Sequence, residues 1–69
     1  MHEEELKYER AMLKYEGGKL LMYFMKEIDK RKASEILADM RRLAKRIEAI
    51  NCELAGIELR KKLRKDLSN

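Results

Sequence analysis

Apolar residues recur through the second half of the chain at alternating steps of three and four. Ala33, Met40, Ile47 and Leu54 take one heptad position, a. Ile36, Leu43, Ile50 and Ile57 take the other, d. An unbroken a/d series of this kind marks a helix that lays one seam against another helix. Leu37 and Ala44 widen the seam to the stripe of a bundle helix. The g positions, Asp39, Arg46, Glu53 and Arg60, alternate in sign. Ser34 is placed to cap the helix, Glu35 sits in its first turn, and Arg64 and Lys65 sit in its last. The pattern predicts a helix over 34–66. Beyond Ile57 the seam stops, because the next a and d sites are Lys61 and Arg64. The leucines move instead to Leu59, Leu63 and Leu67, on a side shared with Cys52 and Gly56. That shift reads as a contact with a second neighbour.

The first half carries a helical pattern of a different kind. Leu6, Leu13, Leu20, Phe24 and Ile28, with Leu21 beside them, share one face and predict a helix over 3–30. Tyr8, Ala11, Tyr15 and Met22 fall roughly opposite, and Met12, Tyr23 and Met25 fill the flanks. Between 8 and 25 the helix is therefore apolar nearly all round. Such a helix is buried on more than one side, and a single hairpin partner covers one. Self-association is the expected remedy.

The segment Asp29-Lys30-Arg31-Lys32-Ala33-Ser34 separates the two patterns without Gly or Pro. It divides the chain into pieces suited to an antiparallel pair. Gly17-Gly18 is the rival breakpoint, but a turn there leaves helices badly matched in length; a continuous or kinked helix, or a close-packing site, is preferred. The expected fold is all-α: a single domain over 1–69, a long antiparallel helical hairpin dimerising into a four-helix bundle. Three helices broken at Gly17-Gly18 are the runner-up.

Composition supports helices over strands. Thr, Val, Trp and Pro are absent from the 69 residues and Phe occurs once, whereas Glu, Lys, Arg, Leu, Met and Ala dominate. A core this small rarely supplies more than ~3–5 kcal/mol without a staple. One Cys cannot form an internal disulfide or a Cys-based zinc cage. The acidic start MHEEELKYER is unlike a signal peptide. The longest apolar run, Leu20 to Met25, is far short of the ~20 residues of a membrane span. A cytoplasmic protein is expected.

Charge, +4 overall, is unevenly spread. Residues 1–16 are net acidic and residues 17–32 net basic. An antiparallel hairpin sets Glu3-Glu4-Glu5 beside Arg60, Lys61, Lys62, Arg64 and Lys65, where opposite charges answer each other and fix orientation. The basic residues near the turn are less balanced: Lys30, Arg31, Lys32, Arg41, Arg42, Lys45 and Arg46 are candidate phosphate contacts. A solvated face that keeps a small bundle soluble is the simpler reading.

The chain carries no arrangement suited to catalysis, and no enzyme activity, cofactor or metal is expected. His2 lacks a ligand one helical turn on, since position 6 is Leu. Cys52 has no His near it in sequence. Gly17-Gly18-Lys19 lacks the spacing and preceding strand of a phosphate loop. The sequence favours a non-enzymatic protein-interaction module, such as a small regulator, inhibitor or assembly factor, bound to itself and to another protein through helix faces. Tyr8, Met12, Tyr15, Met22 and Met25 on the first helix, and Leu59, Leu63 and Leu67 on the second, are the apolar anchors. The alternative is a basic helical nucleic-acid binder. Membrane-surface binding is disfavoured, because the apolar stripe of the second helix is a regular bundle seam.

Overall fold

The computed structural model describes residues 2–68, which form two α-helices, α1 (His2–Lys26) and α2 (Lys30–Ser68), packed antiparallel. Among the described residues, 27–29 alone lie outside a helix, and none forms a strand. Helix α1 runs unbroken through Gly17 and Gly18, and no glycine takes a positive φ. The three-helix arrangement is thereby overturned. Each glycine costs roughly 1 kcal/mol against Ala inside a helix. The surrounding Leu, Met, Glu and Lys residues are strong helix formers and carry α1 across the pair.

The turn comes earlier than the sequence pattern suggests, and Ser34 is not the cap. Asp29 is. Its Oδ1 accepts the backbone N–H of Arg31 at 2.9 Å, and its carbonyl accepts that of Ala33 at 2.9 Å. The Asp29 N–H donates to Glu27 Oε1 at 3.1 Å, while the Glu27 N–H closes α1 on the Phe24 carbonyl at 3.3 Å. The physical reason is that Lys30 to Ala33 are sound helix formers, so α2 extends back to the first side chain able to cap it. Ser34 becomes an exposed residue inside the helix. Ile28 is moved from the first helix's apolar face to the turn, where it is 94% exposed.

The predicted seam of α2 is real. All eight a and d residues are buried or half-buried, whereas Ala44 is exposed. The core is Leu6, Ile50 and Leu54, with Leu13 and Ile57 packed against it. Toward the turn, Leu20 and Phe24 of α1 and Met40 and Leu43 of α2 are half-buried. The molecule is a rod of 60 × 15 × 15 Å with a radius of gyration of 17.0 Å, against ~11 Å for a compact domain of this length. At 1.5 Å per residue α2 is ~58 Å long and α1 ~37 Å. The C-terminal turns of α2 therefore extend beyond the start of α1.

Polar pairs across the seam fix its direction and register. Arg46 grips the Glu9 carboxylate with Nε at 2.7 Å and Nη2 at 2.8 Å. Arg10 Nη1 donates to Asn51 Oδ1 at 2.8 Å, and His2 Nε2 lies 3.0 Å from Glu53 Oε2. Glu3 pairs with Lys61, and also with Lys7 one turn along α1 at 3.4 Å. The expected meeting of the acidic start with the basic end is thus observed. Two of the alternating g residues, Arg46 and Glu53, reach α1; Asp39 instead pairs with Arg42 on α2 at 3.2 Å.

Candidate interaction faces

A helix turns 100° per residue, so the side of α1 opposite Leu6, Leu13 and Leu20 carries Tyr8, Ala11, Tyr15, Gly18, Met22 and Met25. Every one is exposed. Among the large side chains exposure runs from 57% at Met22 to 77% at Met25. Met12, Leu21 and Tyr23 flank this stripe and are also exposed. A shallow groove along the helix is lined by Tyr15, Gly18, Met22 and Tyr23, with Lys14, Lys19 and Lys26 at its edges. The Lys19 ammonium sits 5.0 Å from the centre of the Tyr15 ring, a cation–π distance. The glycines leave the backbone uncovered: nothing lies within 4 Å of the place a Cβ would take at Gly17 or Gly18.

The second set of anchors, Leu59, Leu63 and Leu67, is exposed on the side of α2 turned away from α1. Leu59 adjoins a shallow basic-edged concavity with Lys61, Lys62 and Lys65. The structure does not bring the two sets together. One lies on the outer side of α1, the other on the outer side and extended end of α2.

The seven candidate phosphate contacts are all exposed, but they do not form one free patch. Arg46 is committed to Glu9, and Arg42 pairs with Asp39. Arg41 and Lys45, one turn apart on the outer side of α2, remain the sharper basic pair. The bond from Arg46 holds the Glu9 carboxyl below its ordinary value, and Glu9 raises the guanidinium in turn. Lys61 likewise lowers Glu3, and Glu3 raises Lys61. Arg46 and Lys61 are exposed and the two carboxylates half-buried, so the pairs stay in reach of solvent and serve orientation more than stability.

Although the hairpin brings His2 beside Glu53, the next residue to Cys52, Cys52 is exposed on the outer side of α2. Among the described residues no group of three or more His, Cys, Asp or Glu is placed to hold a metal. No described helix is long and apolar enough to cross a membrane. Ala11, already on this α1 face by the sequence pattern, is joined there by Gly18, which the pattern of large side chains leaves out. Its signal was the spacing: 8, 11, 15, 18, 22 and 25 step by three and four, a second seam with small residues at alternate sites. Comparison with family models, with curated proteins and with solved structures found no match.

Proposed function

We propose that this chain is a non-enzymatic protein-interaction module. It presents the outer face of α1, and the leucines at the end of α2, to helices of other chains. Self-association into a four-helix assembly is the simplest way for it to complete its core. The observation that carries the reading is the imbalance of apolar residues: three are buried in the hairpin, while eleven large ones stay exposed among the described residues. Seven of those eleven lie on α1 between Tyr8 and Met25. Met and Tyr are suited to such surfaces, the first by adaptability and the second by large amphipathic area.

Sedimentation equilibrium of the chain and of Met22→Glu tests the reading. The expected result is an assembly larger than one chain, reduced to monomer by the substitution with helicity unchanged. A chain that stays monomeric, with Met22→Glu behaving identically toward every protein offered, would remove the α1 face as a docking surface. The second reading, nucleic-acid binding through Arg41 and Lys45, rests on their exposure and i, i+4 spacing. It predicts duplex DNA or structured RNA affinity that falls steeply with salt and is lost in Arg41→Glu/Lys45→Glu. Those two positions are the better probes, since Arg46→Glu would also break the pair with Glu9.

A further inference from the structure

The outer stripe of α1 is self-complementary when it is read against a reversed copy of itself. In an antiparallel helix pair, each a residue faces a d residue of the partner. Placing Tyr8, Tyr15 and Met22 at a puts Ala11, Gly18 and Met25 at d. Reversal about a point between Glu16 and Gly17 then sets Tyr15 over Gly18 of the other copy, Met22 over Ala11, and Tyr8 over Met25. The four central layers each place a large side chain opposite a small one, the alternation that lets facing surfaces interdigitate. The two ends of the stripe are closed by the flexible Met25 against Tyr8.

Charge and exposure agree with this register. The flanking e positions are Glu5, Met12, Lys19 and Lys26. Reversal brings Glu5 beside Lys26 of the other copy, and the Lys19 stem along Met12. Each of these four residues is exposed in the single hairpin. A parallel pairing would instead face e with g and put Lys19 against Lys14, and Met12 against Lys7, of the other copy. A two-fold interface must be self-complementary, and here the acidic half of α1 meets the basic half.

The surface area is also sufficient. The hairpin exposes 6076 Å², whereas a folded monomer of 8.3 kDa would expose ~4,600 Å². The excess, roughly 1,500 Å², is nearly twice what each partner buries in a standard interface, ~800 Å².

We infer that the outer face of α1 is occupied by α1 of a second copy, antiparallel, with Tyr15 seated on Gly18. This rests on reading the face as a docking surface and names its occupant. The outer stripe lies opposite the hairpin seam, so the four helices form a row, α2·α1·α1·α2, instead of a square. Each α1 is then covered on both sides and each α2 on one. That arrangement accounts for the apolar girth of α1 and the charged outer side of α2. The leucines Leu59, Leu63 and Leu67 stay outside the dimer contact.

Two measurements test it together. Gly18→Leu adds apolar area, is the better helix former, and sits on an exposed backbone where a Cβ meets nothing within 4 Å in its own hairpin. If the register holds, Leu collides with Tyr15 of the other copy, and dimer affinity falls roughly tenfold or more with helicity retained. Gly17→Ala, off the stripe, leaves affinity unchanged. Dimerisation as tight or tighter in Gly18→Leu overturns the inference. The second measurement is the electron-spin distance between copies labelled at Lys19→Cys or at Lys26→Cys, each in a Cys52→Ser background. The two Lys19 sites lie ~8 Å apart along the helix axes and the two Lys26 sites ~28 Å. Separations equal at both positions overturn the antiparallel register while leaving the α1 face a docking surface. A chain that is monomeric, yet loses another protein partner in Met22→Glu, overturns the second copy as occupant and keeps the face's role.

Discussion

Among the described residues Ile50 is the one side chain wholly withdrawn from solvent, at 0% exposure, and Leu6 and Leu54 pack with it. Its loss leaves a cavity in a core with few other members. Ile50→Ala is expected to cost ~2–4 kcal/mol, most of what a core of this size supplies, and urea unfolding reads it directly. Leu63→Ala, at a side chain 53% exposed, changes the same midpoint little in the monomer. The pH response is also set by single residues. Glu3 and Glu9 bind protons more weakly in the hairpin than the ordinary carboxylate with its value of 4.5, because Lys61 and Arg46 hold them ionised. The unfolded chain therefore takes up protons first as pH falls. The contribution is fully present above 4.5 and is lost as pH drops through the lowered values. Thermal melts across that range should fall less steeply for Glu9→Gln than for the parent chain, and identical slopes would remove the Glu9–Arg46 pair from the account. The buried residues were legible because the a/d spacing names Ile50 and Leu54 outright. The Arg10–Asn51 bond was not, since nothing in the spacing tells which polar neighbours across a seam will meet.

At the scale of the element, the turn is the informative case. The stretch from Glu27 to Ser34 holds no Gly or Pro, so local propensity would let one helix run straight through it. What divides it is the Asp29 cap together with the gain from folding α1 back onto the α2 seam. The sequence pattern located the boundary to within a few residues but favoured Ser34, because two capping residues compete and the helix-forming run from Lys30 to Ala33 decides for the earlier one. Asp29→Ala removes the cap and is expected to cost ~0.5–2 kcal/mol. With no helix breaker behind it, the variant should also populate an extended, continuous helix. Small-angle scattering would show this as a radius of gyration above the 17.0 Å of the hairpin. Ser34→Ala, inside α2 and exposed, should change neither quantity, and an equal loss in both variants would place the cap wrongly.

For the whole molecule, the rod shape is the fact from which stability follows. Two helices side by side bury one face of each, and among the described residues only Leu6, Ile50 and Leu54 are buried well. Antiparallel ion pairs direct the hairpin, but exposed pairs contribute little and are screened by salt. The remaining apolar surface of α1 is where additional stabilisation is available, and association makes that stabilisation depend on concentration. Binding that requires the folded state stabilises it by mass action. For a two-state dimer each tenfold rise in protein concentration adds ~1.4 kcal/mol to the free energy of unfolding to separate chains. The melting temperature of the parent chain should therefore climb steadily with concentration. Met22→Glu, at a side chain 57% exposed in the hairpin, should melt at one low temperature whatever the concentration. Should both chains melt at a single, equally high temperature at every concentration, the hairpin would be stable alone, and the outer face of α1 would have no part in holding the molecule together.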